Sequence, residues 1–389
     1  MDEIRYWLWL ATRPGCGIKR CQKLLEQFGT PQDIWKLTRR ELTPVSFLQA
    51  KQMDALMDKD LTHADVIVRQ CEKQHIAMVP LTDERYPASL REIADPPLIL
   101  YVRGMLPDVT NQLAIAVVGT RKATRYGLQA ARYFGGVLAQ NGCIIVSGMA
   151  RGVDGAANRA ALDAGAYTVA VLGCGVDVCY PWQHEQLMRD IAAHGAVISE
   201  YPPGTQPAAH HFPERNRIIT GLCRATLVIE SPKKSGSLIS ADRALEQGRD
   251  VFAVPGDINR PNSAGCNQLI RQGAAELVQT PADILSYYGQ PHVQELTRPQ
   301  QPEAELPRVA AKPPVEPEPE PPQMRALTGS ETEKIVWHAV HDGRRTVDAI
   351  VEHTGVPASD VLTALTMLEI GAYVRRRDDG YHASEDVCD

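Results

Sequence analysis

From residue 114 onward, apolar residues come in short β-branched runs separated by amphipathic stretches. Residues 114–118 (AIAVV) form such a run and stop at Gly119; 143–146, 167–172, 196–200, 226–230, 251–254 and 275–278 repeat the design. Between the runs the apolar period lengthens to that of a helix, which predicts helices opening near Thr124 and over 151–163, 183–194 and 237–247. Strand, glycine turn, helix, repeated, is the signature of βαβ units. The expected fold class is therefore α/β, an extended Rossmann-like, mostly parallel sheet of about seven strands with both faces covered.

The flanks follow other patterns. Residues 1–80 read as helical, and the segment RPGCGIKRCQKLLEQFG (13–29) places a Pro-Gly-x-Gly turn before apolar positions at helical spacing. That is a helix-hairpin-helix-like (SAM-like) unit, whose glycines either offer N–H groups to a phosphate, helped by Lys19 and Arg20, or only turn a tight corner. Pro96-Pro97 force extended backbone before the apolar residues 98–102, an arm or edge strand opening the middle domain, 81–288. Residues 289–324 are rich in proline and glutamate and read as a tether. Residues 325–389 read as three helices and a hairpin turning at Asp379-Gly380, a winged helix.

Composition narrows the class. The 44% hydrophobic content is that of a globular protein, no apolar run is long enough to span a bilayer, and the first ten residues lack a signal-peptide pattern. No membrane association is expected. Nine scattered cysteines without a CxxC pair read as free thiols. The net charge of −6 is unevenly spread: 0 over 1–110, +2 over 111–288, −3 over 289–324 and −5 over 325–389. A basic patch on the middle domain is compatible with that distribution.

Candidate chemistry lies in the loops after the predicted strands. Gly119, Thr120 and Arg121 after the first, and Ser147 and Gly148 after the second, would present backbone N–H groups and a guanidinium to one phosphate, with Arg151 adding charge to the same edge. Lys233, Gly236 and Ser237 would do the same at another helix start. In the long loop expected after residue 200, HFPERNR offers Phe212 beside Arg215 and Asn216. An aromatic among cations suits single-stranded DNA; a plug packing the loop onto the sheet is the other role open to Phe212. His210-His211 has no third ligand nearby, so no metal is expected. No P-loop or Ser-His-Asp arrangement is recognisable, and no cofactor or catalytic residue is assigned.

Several segments carry a resemblance: YPASLREIADPPLILYVRG (86–104), VVGTRKATRYG (117–127), SGMARGVDGAA (147–157), VLGCGVDVCYP (171–181), ISEYPPG (198–204), HFPERNRIITGL (211–222), SGSLISADRALEQGRDVFAVPG (235–256) and NQLIRQGA (267–274). In this order they resemble the DNA-processing protein A (DprA/Smf) family of bacteria over nearly the whole chain. The resemblance implies a cytoplasmic homodimer, not an enzyme, that binds single-stranded DNA and loads RecA onto it in natural transformation and recombination. Thr120 stands where the family usually has serine, and Met149 where a small residue is usual. The alternative is a nucleotide-binding, phosphoribohydrolase-like enzyme, since SGSLIS faintly resembles that family's phosphate loop. Its catalytic glutamate has no match here, because Ile239-Ser240-Ala241-Asp242 occupy the region. The third helix of the winged helix carries Asp360 and Glu369 but no Lys or Arg, which favours a protein contact over base reading.

Overall fold

The computed structural model describes residues 2–109, 111–289, 325–326, 329–377, 379–384 and 387–388. The chain divides into two compact units, Met1–Pro302 and Glu303–Asp389. The tether expected at 289–324 lies, from residue 290 on, outside the described residues.

The first unit is built on nine strands: β1 (Ala77–Pro80), β2 (Ile99–Gly104), β3 (Ala114–Val118), β4 (Ile144–Ser147), β5 (Thr168–Val171), β6 (Ala196–Ser199), β7 (Ala225–Val228), β8 (Asp250–Ala253) and β9 (Glu276–Leu277). Their order is β1-β2-β6-β5-β4-β3-β7-β8-β9. The seven from β3 to β9 are mutually parallel, while β1 and β2 run antiparallel at one edge. The strand count exceeds the expected seven because this antiparallel pair extends the sheet. β1 lies inside the segment 1–80 assigned to the helical domain, so the sheet begins before residue 81.

Strands β3 to β7 are buried on both faces while β9, at the edge, is exposed, and along the buried strands the side chains alternate between the faces. Ala114, Ala116 and Val118 face one apolar core with Ile218, Ile219 and Ala241. Ile115 and Val117 face the other, with Phe134, Leu138 and Val153. This two-sided burial is why the runs read as continuously apolar. The helices of residues 2–73 gather Trp7, Leu8, Trp9, Leu10 and Leu24 into a third core that also includes Leu98, Tyr101 and Leu187 of the sheet domain. The helices Asp2–Ala11 and Ile18–Phe28 flank the Pro-Gly-x-Gly turn.

The second unit is the winged helix. Helices Glu331–His341, Val347–Thr354 and Ala358–Ile370 pack around Val336, Trp337, Ile350 and Leu365, and the strands Val374–Arg377 and Gly380–Ala383 pair antiparallel. Arg377 pairs with Gly380, so the turn falls one residue before the expected Asp379-Gly380. Asp378 lies outside the described residues.

Candidate nucleic-acid interface

The strand order sets the site. The chain steps from β3 outward through β4, β5 and β6, then returns to place β7 on the other side of β3. Connections diverging from β3 and β7 leave a crevice at the carboxyl ends of these strands, where α/β sheets receive ligands. A cavity of about 640 Å³ occupies that place.

Eight of the twelve candidate residues meet there. Gly119, Thr120 and Arg121 come from the turn after β3; Phe212, Arg215 and Asn216 from the segment after β6; Gly236 and Ser237 from the turn after β7. That after β6 corrects an expectation: it is the helix His211–Gly221, not a loop. Asn216 donates from Nδ2 to the Gly236 carbonyl at 3.2 Å, tying this helix to the β7 turn. Ser237 donates its hydroxyl to Ser231 at 2.9 Å, and its N–H is capped by Ser235.

Arg121 is exposed, with its guanidinium carbon 4.8 Å from the centroid of Phe212. Phe212 is half-buried, and Tyr180 lies against it at 5.3 Å with the rings tilted 34°. The Arg121 turn is held from both sides: the Thr120 N–H donates to the Glu230 carbonyl at 2.7 Å, and its carbonyl accepts from Val153 at 3.4 Å. Gly152, at φ +79°, makes room for this, since a Cβ there would sit 2.3 Å from the Thr120 carbonyl oxygen.

The remaining four candidates do not line the cavity. Ser147 is fully buried and donates its hydroxyl to the Val117 carbonyl at 2.6 Å, so that group serves the sheet rather than a ligand. Gly148 is needed for packing: a Cβ would come within 2.0 Å of the Arg215 guanidinium. Arg151 is exposed on the turn before helix Val153–Asp163, and Lys233 is exposed but one residue off the cavity, which Lys234 lines instead. Lys122 and Tyr180 also line it and escaped the sequence reading. Lys122 follows Arg121 directly and lines the cavity with it, whereas Tyr180 comes from the turn after β5, which the fold alone brings to the site.

The anion positions of the two glycine turns are already filled. The Glu230 carboxylate accepts the Thr124 N–H at 2.8 Å and its hydroxyl at 2.7 Å, closing the start of helix Arg125–Gln140. The Asp154 carboxylate takes the backbone N–H groups of Gly148 and Ala150. Burial pushes the Asp154 carboxyl up, while Arg215 and those N–H groups pull it down. Burial likewise pushes Arg215 down to about 10, against the attraction of Asp154. Arg215 donates to the Val171 carbonyl, and its Nε has no partner. Arg217 is bound bidentately to Glu200 at 2.8 and 2.7 Å and locks its helix to the end of β6. The exposed cations left for a ligand at the cavity are Arg121, Lys122 and Lys234.

His211 stacks on Tyr201 at 4.0 Å and donates from Nδ1 to the Gly173 carbonyl at 3.0 Å, since a carbonyl only accepts. Among the described residues no group of three or more His, Cys, Asp or Glu could hold a metal ion, and no helix is long and apolar enough to cross a membrane. A larger cavity, about 800 Å³, lies between the N-terminal helices and the sheet. It mixes Lys19, Arg20, Lys23, Arg217 and Arg243 with the carboxylates of Asp95, Glu200 and Glu214, and Arg217 is already paired with Glu200.

Comparison with known proteins identifies the family and the fold. A family model described as DNA recombination-mediator protein A matches residues 77–289, and one described as the DprA winged helix domain matches 312–380. DNA processing protein DprA of Streptococcus pneumoniae is 38% identical over 281 residues, covering 67% of this chain and 98% of that protein. Protein Smf of Escherichia coli is 36% identical over 325 residues, 82% of this chain and 80% of that one. The crystal structure of the S. pneumoniae protein superposes with a TM-score of 0.64 at 37% identity, covering 72% of this chain and 97% of that one. A structure of DNA processing protein A from Helicobacter pylori, described for its single-stranded DNA binding mode, superposes with a TM-score of 0.51 at 30% identity, covering 56% of this chain and 98% of that one.

Proposed function

The chain belongs to the DNA recombination-mediator protein A family, and on that premise we propose that it binds single-stranded DNA in the crevice between β3 and β7. Arg121, Lys122 and Lys234 take backbone phosphates there, and Phe212 meets a base. The observation that carries this reading is the convergence of exposed cations and an aromatic at the strand-order reversal. A base offers its face to Phe212 only when unstacked, so the site discriminates against duplex. Filling of the glycine-turn anion positions by Asp154 and Glu230 argues against a phosphoribohydrolase-like role. Asp242, in place of that family's glutamate, is exposed on helix Gly236–Glu246.

The test is fluorescence anisotropy of a labelled thymidine oligonucleotide and its duplex across a salt series. With three exposed cations engaged, the single strand should show a log–log salt slope near −2 or steeper, at about −0.7 per phosphate. Equal affinity for duplex, or indifference to salt, overturns the reading. A chain ending near residue 290 should bind the same oligonucleotide within about tenfold, roughly 1.4 kcal/mol, because the removed part is net acidic. A larger loss would transfer the binding to the winged helix.

Family membership, rather than any residue pattern, supports the rest: a cytoplasmic homodimer that hands its DNA to RecA during transformation and recombination. The winged helix is a protein-contact module in this scheme. Its third helix leaves Leu362, Met367 and Ile370 exposed and holds no cation. Sedimentation should give a dimer at tens of micromolar, and RecA should be retained by the immobilised protein. A monomer with no RecA retained would overturn both.

A further inference from the structure

We propose that Tyr180 and Trp182 form a second base-stacking step that continues the Arg121–Phe212 site along a bound single strand. The inference rests on the reading of the crevice as a single-stranded DNA site and extends it to residues after β5.

Phe212 and Tyr180 are in contact, and Trp182 follows Tyr180 by two residues. Tyr180 lines the cavity, its ring lies 5.3 Å from that of Phe212, and it is 41% exposed. Pro181 is buried and anchors the turn, and Trp182 opens the short 3-10 turn Trp182–His184 with 75% of its surface exposed. Two Cα steps separate Tyr180 from Trp182, at most about 7.6 Å. Trp182 itself does not line the cavity, but its backbone lies within that distance of a residue that does.

Its exposure points to a ligand. Of the five tryptophans, Trp7, Trp9 and Trp337 are buried and Trp35 is half-buried, while Trp182 alone stands open to solvent. A tryptophan is a large apolar surface that folding normally covers, at least in part. Here the neighbouring aromatics and the Arg121 guanidinium supply a setting in which a flat, π-faced, anion-linked ligand fits. A nucleobase on a phosphate chain has that chemistry, and stacking accepts any base, as a carrier without sequence preference requires. The occupant is the base next to the one at Phe212.

The experiment reads two signals at once. Anisotropy of a labelled oligonucleotide reports binding, and tryptophan emission reports the indole, because Trp182 is the tryptophan most open to solvent and its removal isolates its share of the signal. Single-stranded DNA should quench the emission of the full-length protein. Trp182→Ala should abolish that quench and weaken binding about 5- to 150-fold, the range of a single stacking contact, with the salt slope unchanged. Trp182→Phe should lose the quench while binding within a few-fold of wild type. Oligonucleotide binding without quench, together with unaltered affinity of Trp182→Ala, overturns the proposal and leaves the site reading intact. Emission that responds to protein concentration instead of DNA assigns Trp182 to self-association and also overturns it. Absence of any binding overturns both readings.

Discussion

Asp154→Ala is expected to lower the unfolding free energy by about 1–3 kcal/mol, seen as a lower urea midpoint at unchanged slope. Asp154 is 8% exposed and Arg215 4%, so both charges are out of water. The upward push on the carboxyl and the downward push on the guanidinium have one cause, desolvation that their mutual attraction does not fully offset. The two charges attract across the site without forming an ion pair, and removing the carboxylate leaves the buried guanidinium without that attraction. Arg215 would keep the Val171 carbonyl but lose its counter-charge, and the Gly148 and Ala150 N–H groups would lose their acceptor.

The same variant tests what the carboxylate stands for. With it gone, two N–H groups, the start of helix Val153–Asp163 and a guanidinium face a vacated anion position. Inorganic phosphate should therefore stabilise Asp154→Ala more than wild type, by about 2.7 kcal/mol at a hundredfold excess over its dissociation constant. Equal stabilisation of both proteins would mean that the turn is no anion site. Asp154→Asn, which keeps the shape and one acceptor, should lose less than alanine does.

The parallel sheet was legible because its strands are apolar on both faces, and the glycine turns because only glycine permits the approach of Thr120 to Gly152. The helix His211–Gly221 was not. Three consecutive positions in it, Arg215, Asn216 and Arg217, are buried although polar, so the apolar period is broken where the helix begins. Burial there follows from partners distant in sequence, Val171, Gly236 and Glu200, that periodicity cannot register. The partners of the glycine turns are hidden from the sequence for a related reason. Gly119 and Gly148 read as phosphate cradles; in the fold Glu230 reaches Thr124 from 106 residues away and Asp154 folds back onto Gly148. A motif records which backbone N–H groups are offered, and only the fold says whether a carboxylate has taken them.

Arg121 and Phe212 read in sequence as independent contacts, one for a phosphate and one for a base; stacked at 4.8 Å, they should instead behave as one unit. Arg121→Ala removes a charge-assisted contact and should weaken single-stranded DNA binding by about 1.5–3 kcal/mol. Phe212→Ala removes a stacking surface of about 1–3 kcal/mol and also the face that orients the guanidinium. The double variant should then lose less than the two single losses added together, by a coupling of at least about 0.5 kcal/mol, as residues in contact do. The salt series separates their roles. Arg121→Ala should flatten the slope by about 0.7, whereas Phe212→Ala leaves the charge in place and should not change it. An abasic nucleotide at the stacked position should mimic Phe212→Ala and add little to it. Strict additivity of the two variants would show that the ring does not position the guanidinium. If the abasic and Phe212 losses also sum, Phe212 packs its helix against Gly173 and Tyr180 and meets no base.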